Sequence, residues 1–434
     1  MIRKFAIFTV IFFAQFVAAQ TAERAATTTS TEPGIENLNL LGTSTHMPPF
    51  TDTVLGTDSG FRRTLYSKGF VLRNDSILNY TQDLLNASVP ADQQEYMGER
   101  PYGRLMANPM LTYDMRDLHL HDAELFVGVG FNWVSWNSAG PSAMAMSTLF
   151  LYNAFANDRI ETKIGYNIND FEFVGLQLGG LLSTGSQGVY AVLPYEAGLS
   201  HFPLGAPSLS LKINGPKNLY FKTAIQRALD PAGGPETIHR NPSGFRFIPA
   251  GDKLVSVYEV GLNHTATATS RQTWMRAGYI HNTTPYPNSR TGVPTSGNFC
   301  AFILADYQLN RHDLEHPGHG IYAGASAMGT ATDLNAYTRY YEFRLYDEAP
   351  FRSRPGDTAA LVASYSAYSP WLLKSLVAQG KTVWRNQSTL TGSYNLRLAR
   401  GTYLSTGLSY HAGPDITPRV ANGLILSTNM NVYF

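Results

Sequence analysis

Runs of about ten residues in which apolar and polar side chains alternate one by one constrain this chain most. The last run, "NGLILSTNMNVYF" at 422–434, puts Leu424, Leu426, Met430, Val432 and Phe434 on one face, with Thr428 among them. Gly423, Ser427, Asn429 and Asn431 fall on the other. The same alternation sets Leu390, Tyr394, Leu396 and Leu398 against Thr389, Thr391, Asn395 and Arg397. It sets Leu404, Thr406, Leu408 and Tyr410 against Ser405, Gly407, Ser409 and His411, and lines up Phe299, Ala301, Ile303, Ala305, Tyr307 and Leu309. A period of two is the signature of a β-strand with two unlike faces. Turn formers separate the runs, as in "ARGT" at 399–402, "AGPDITPR" at 412–419 and "HPGHG" at 316–320.

Alternation alone fits a soluble sandwich as well as a membrane barrel, and strand length separates them. A tilted strand needs about 9–11 residues to cross a bilayer, whereas soluble strands average about 5–6. Composition agrees. Charged residues are only 15% of the chain, against roughly 25% in ordinary soluble domains, while Tyr and Phe number 25 and 23. Such a surface is suited to lipid. A sheet in hydrocarbon must close on itself, because each unpaired backbone group there costs several kcal/mol. Aromatic side chains then mark the two interfaces. At about 25 residues per strand and its share of loop, the chain has room for about 16 strands, a size that encloses water. The expectation is an all-β, transmembrane antiparallel β-barrel with an aqueous lumen.

The start of the chain fits export. Arg3 and Lys4 precede the apolar run "FAIFTVIFFAQFVAA" and small residues, the order of a cleaved signal peptide over 1–19. Residues 20–40 include "TAERAATTTSTEPG", which offers too little apolar surface to fold and reads as a flexible linker. The barrel domain is expected over 41–434. After the signal peptide no run of 18 apolar residues occurs, so helical spans are not expected. The single Cys300 excludes a disulfide framework within the chain. A net charge of +1 argues against nucleic acid or an anionic membrane surface as the main partner. A C-terminal Phe on an amphipathic strand is what outer-membrane barrels in general end on, since the barrel assembly machinery reads that end. The expected location is the outer membrane of a Gram-negative bacterium, with its lipid around the barrel.

Two histidine-rich stretches invite chemistry. "RHDLEHPGHG" at 311–320 carries His312, His316 and His319 with Asp313 and Glu315. Nothing in the sequence fixes those imidazoles on one face, and Pro317, Gly318 and Gly320 suit a polar turn, so no metal is assigned. "DLHLHDAEL" at 117–125 places His119 and His121 on one strand face, but no G-x-S-x-G elbow or phosphate loop accompanies it. No catalytic residue and no cofactor are expected.

Charges sit on the polar faces of the strands. Facing lipid, each would cost about 2–4 kcal/mol at mid-membrane, so they should point inward. Lys163, Lys222, Glu259, Arg276, Glu342, Arg344 and Arg397 are the candidate pore-lining residues. With planar aromatics such as Trp274 they offer hydrogen bonds and stacking faces to a polyhydroxyl solute, and their mixed signs suit neutral cargo.

Several stretches carry a family resemblance: "GTDSGFRRTLYSKGFVL" (56–72), "FANDRIETKIGYN" (155–167), "SGFRFIPAGDKLVSVYEVGLN" (243–263), "MRAGYIHNT" (275–283) and "FRSRPGDTAAL" (351–361). With the C-terminal hairpin 404–434, and in this order, they resemble the carbohydrate-selective porin family of Gram-negative outer membranes. The resemblance implies a 16-stranded barrel and passive diffusion of mono- and disaccharides through a narrowed pore lined by Arg and acidic residues. Phe351 stands where that family has a glycine, Ala360 and Leu361 fill the region of the next, the last strand lacks a usual arginine, and Gly413-Pro414 inverts a Pro-Gly. These departures bear on the solute range rather than the fold. Homotrimerisation is common in porins, but no stretch here specifies it.

Two rival functions use the same alternation. "RNDSILNYTQDLLN" (73–86) and "ERPYGRLM" (99–106) resemble lipid A deacylase barrels, but 131–148 holds no histidine to match that catalytic segment. A polysaccharide export channel is the other.

Overall fold

A computed structural model describes residue 48 and residues 50–56, 60–86, 89–118, 120, 122–140, 142–174, 192–249, 251–417 and 419–434. The expected signal peptide (1–19), the linker (20–40), His119 and His121 lie outside them.

Among the described residues sixteen strands form one closed antiparallel barrel. They begin with β1 (Phe70–Asp83), β2 (Tyr102–Asp114), β3 (Ala123–Val134) and β4 (Ala143–Phe155). Three shorter strands follow, β5 (Ile160–Asn167), β6 (Ala206–Asn214) and β7 (Leu219–Arg227). Next come β8 (Leu254–His264), β9 (Thr273–Asn282), β10 (Asn298–Gln308), β11 (Gly320–Thr330) and β12 (Tyr337–Glu348). The wall ends with β13 (Thr358–Tyr368), β14 (Asn386–Ala399), β15 (Thr402–Ala412) and β16 (Asn422–Tyr433). The expected strand number and antiparallel order are both found.

The alternation decides which side of the wall each residue takes. In β10, Ile303 is 61% exposed while its neighbour Leu304 is 1% exposed. Exposed outward residues are apolar or aromatic around the ring, including Val260, Phe343, Leu361 and Leu390. In β16, Ser427, Asn429 and Asn431 point inward and are buried. Tyr433 shares their parity and meets the Tyr403 ring edge-on at 5.8 Å.

β1 and β16 close the ring, pairing from Asp75↔Tyr433 to Asp83↔Ile425. The C-terminal Phe434 completes the seam: its N–H donates to the Asn74 carbonyl at 2.9 Å, and the Asn74 N–H donates to its carbonyl at 3.3 Å. No backbone edge is left there.

The two ends of the barrel differ. Tight turns at 156–159, 215–218 and 400–401 lie at the end where β16 finishes, whereas 168–205, 228–253, 283–297 and 369–385 connect strands at the other. The N-terminal stretch packs at the tight-turn end, where the Val54 N–H donates to Tyr433 O at 2.9 Å. There α1 (Gly60–Tyr66) buries Arg62, which donates to Thr53 Oγ1, Gly56 O and Leu72 O.

Candidate pore constriction

The β5–β6 connection enters the lumen, where its described residues pack against the inside of the wall. Its described parts carry two short helices, α2 (Asn169–Phe173) and α3 (Val192–Glu196). Phe173, Val174, Leu193, Ala197 and Leu199 pack against inward residues of the wall, among them Val257, Ile280, Phe302, Leu304, Met328 and Tyr340. An apolar core therefore lies inside the barrel, on the side built from β7 to β12. A long connection without strand periodicity needs such a partner, because its ordering entropy is otherwise unmatched.

Polar groups fix this connection in register with the wall. Glu172 in α2 lies between two lysines, with Lys163 Nζ at 2.6 Å from Oε2 and Lys222 Nζ at 2.5 Å from Oε1. Lys222 also donates to the Glu172 carbonyl at 2.6 Å, and Arg276 to the Phe173 carbonyl at 2.8 Å. Side-chain amides continue the attachment. Asn169 donates to Gln226 Oε1 at 2.8 Å, Asn282 to Ala197 O at 2.9 Å, and Asn298 to Glu196 O at 3.2 Å. Burial would raise the Glu172 carboxyl, but the charges of Lys163 and Lys222 outweigh it and hold the group well below the usual carboxylate range. Among the described residues Glu196 has no such cation. Burial pushes it up to about 8, although backbone N–H groups of Tyr337 and Ala336 partly oppose the shift.

Five of the seven residues expected in the lumen lie on this side, and Lys163 of β5 joins them through Glu172. Lys222 and Glu259 are cross-strand partners, and so are Gly261 and Arg276. The Glu259 carboxylate accepts from Tyr220 Oη at 2.8 Å, and that phenol accepts from Trp274 Nε1 at 3.3 Å. The Arg276 guanidinium lies 3.8 Å from the Trp274 ring centroid. Glu342 and Arg344 are one face of β12, where Arg344 bridges Glu342, Ser326 Oγ at 2.5 Å and Asp306 Oδ2 at 2.9 Å. Arg397 is apart from them. It sits half-buried at the tight-turn end, paired with Asp52, which also accepts from Tyr403 Oη.

The belt so formed carries four cations (Lys163, Lys222, Arg276, Arg344) and four carboxylates (Glu172, Glu259, Asp306, Glu342). Hydroxyls and amides line the facing strands. Ser364 and Thr389 are 2.6 Å apart, Ser405 donates to Asn395 Oδ1 at 2.6 Å, and Thr81 lies 3.2 Å from Ser427. One wall is thus charged and aromatic, the other richer in hydroxyls and amides, with Arg104 of β2 donating to Asn132 Oδ1 at 2.7 Å.

Sequence reasoning missed Glu172, Glu196 and Asp306 as members of this arrangement, whereas the shared face of Lys222 and Gln226 is legible in the alternation of 218–227. One available signal was the gap itself: between Asn167 and Ala206 no alternation occurs, far longer than a turn requires. The residues of the rival deacylase resemblance, 73–86 and 99–106, fall largely on β1 and β2.

Known proteins are consistent with this geometry. The family model for the carbohydrate-selective porins of the OprB family matches residues 88–434. OprB of Pseudomonas putida in its high-pH structure is similar, with a TM-score of 0.73 at 13% identity, covering 86% of this chain and 96% of that one. Its low-pH structure gives a TM-score of 0.54 at 14% identity, covering 88% and 98%. At such identities the likeness is one of fold. No curated protein matches the chain.

Proposed function

The chain belongs to the carbohydrate-selective porin family, and we propose that it passes small neutral sugars down their gradient through a lumen narrowed by residues 168–174 and 192–205. The observation that carries this reading is the β5–β6 connection lodged inside the barrel, held by Glu172 between Lys163 and Lys222. The barrel stands in the outer membrane of a Gram-negative cell. Its tight-turn end, with the C-terminus, faces the periplasm, and its long connections face outward.

The chemistry of the walls suits the cargo. A polyhydroxyl solute sheds water only if the pore returns its hydrogen bonds, and rows of carboxylate, guanidinium, amide and hydroxyl groups return them at many weak sites. Four charges of each sign leave little net field, so a neutral solute is not opposed and ions are not strongly sorted. Lys163, Lys222, Glu259, Arg276, Glu342 and Arg344 are assigned to the constriction. Arg397 is assigned to the periplasmic mouth, where its pairing with Asp52 supports the N-terminal stretch. The same reading carries recognition of Phe434 by the barrel assembly machinery and association as a homotrimer.

Passage through the lumen involves no covalent step, so this reading requires no catalytic group. It disfavours export of long glucans, because a filled lumen side leaves less room for a chain than for a monomer. Swelling of proteoliposomes tests it. Glucose and a disaccharide should enter and swell them, while a hexasaccharide should enter far more slowly. Equal rates for the hexasaccharide would favour the export channel, and no sugar-dependent swelling by folded protein would reject the reading.

A further inference from the structure

The turn between β10 and β11, at the tight-turn end, gathers side chains that the pore does not use. Donor atoms of Asp313, His316 and His319 all lie within 4.8 Å of one another. The two imidazoles stack with centroids 4.9 Å apart and planes 10° from parallel. Asp313 Oδ1 accepts the His316 N–H at 2.6 Å, which sets the carboxylate beside the rings. We propose that Asp313, His316 and His319 form a binding site for a divalent transition-metal cation of the zinc class, with water in the remaining position.

The backbone that carries these donors is already fixed. The His319 N–H donates to His316 O at 2.9 Å, and the His312 N–H to His319 O at 3.1 Å. From the wall, Gln308 Nε2 donates to Pro317 O at 2.8 Å and Tyr322 Oη to Gly318 O at 2.5 Å. A metal therefore meets a turn that needs only side-chain rotation. With metal–ligand distances of about 2.0–2.1 Å, tetrahedral donors stand about 3.4 Å apart, so closure of roughly 1 Å completes the set. His316 is exposed and free to rotate into it. His312 stays outside the set because its Nε2 pairs with Asp347 of β12 at 2.5 Å.

The donor types name the class of ion. Two imidazoles and one carboxylate suit zinc and its neighbours, whereas calcium and magnesium call for oxygen-only shells. Nor does the turn itself require the rings, since Pro317, Gly318 and Gly320 make the bend. Opening at the mouth of the barrel leaves a coordination position for water.

Cobalt(II) serves as the probe, titrated into tag-free, detergent-folded full-length protein and followed by its visible absorption. One Co2+ per chain should bind with a tetrahedral-type band that Zn2+ abolishes. His316→Ala and His319→Ala should each weaken binding at least about tenfold. Asp313→Asn, nearly isosteric, should do the same while the barrel's heat-modifiable electrophoretic migration stays unchanged. His239→Ala, which removes an exposed histidine of another connection, should bind as the unaltered protein does. Absence of saturable binding, or undiminished binding by the His316→Ala/His319→Ala double variant, overturns the site.

Discussion

Arg344 is 1% exposed, and a guanidinium held that far from bulk water must have its charge and donors matched on every side. Asp306, Glu342 and Ser326 do this, but the fit also depends on a residue with no side chain. A Cβ on Gly324 would stand 2.2 Å from Asp306 Oδ1 and 2.8 Å from Arg344 Nε. Gly324→Ala therefore pushes the guanidinium off its carboxylates. Breaking a buried pair costs about 3–5 kcal/mol in a dry interior, and lumen water should bring the loss toward the low end. Gly392→Ala is the matched control, since nothing lies within 4 Å of its added carbon. Thermal unfolding in detergent should show Gly324→Ala melting several degrees below the parent and Gly392→Ala within about a degree of it. Equal melting of the two would remove the clamp from this account.

The lodged connection is an element whose two acidic anchors respond to pH in opposite senses. Glu172 has a depressed pKa, so its contribution is present above the unfolded value and is lost only as pH falls through the still lower folded value. Glu196 has a raised pKa of about 8. Its contribution is complete below the unfolded carboxylate value, near 4.5, and is lost as pH rises through about 8. Among the described residues no nearby group supplies a compensating cation: Tyr337 and Ala336 offer N–H groups, while Tyr286 and Tyr195 bring phenols. The connection should thus sit most firmly near the unfolded carboxylate value and loosen as pH rises from about 5 to 8. Single-channel recordings should show open-state noise growing over that range, and Glu196→Gln should abolish the growth. A Glu196→Gln channel with the parent's pH response would contradict the assignment.

At the scale of the whole molecule, the barrel is a wall with two solvents. Ile303 and Leu304 are neighbours in β10, one facing hydrocarbon and the other the lumen core. A lysine on the lipid side costs about 2–4 kcal/mol near mid-membrane and falls to about 0–1 at the interfaces. Ile303→Lys should lower the yield of folded, heat-modifiable barrel in refolding trials. Thr391→Lys, which adds the same charge among the inward hydroxyls of β14, should fold normally and change conductance instead. If both fold equally well, the inside-out assignment of the strands is wrong.

Much of this is legible in the order of the residues. The side-chain period of two gave the class of fold, strand length marked it as membrane-spanning, and chain length gave the strand number. Those are local or global quantities, and each is read directly from residue order. The inward side of β12 was also readable, because Glu342 and Arg344 share parity and neither is tolerable in lipid. What the sequence could not supply was any contact between residues far apart in the chain. Glu172 lies in a stretch with no period, and nothing near it names Lys222 as a partner. Asp313, His316 and His319 looked like an unconstrained turn until Gln308 and Tyr322 were seen to pin its carbonyls. Arg397 has the right parity for the lumen, yet its height along the strand sends it to the mouth and Asp52. Alternation fixes a face because it depends only on the backbone pleat; the constriction depends on where a long connection finds apolar surface, and only the closed barrel provides that.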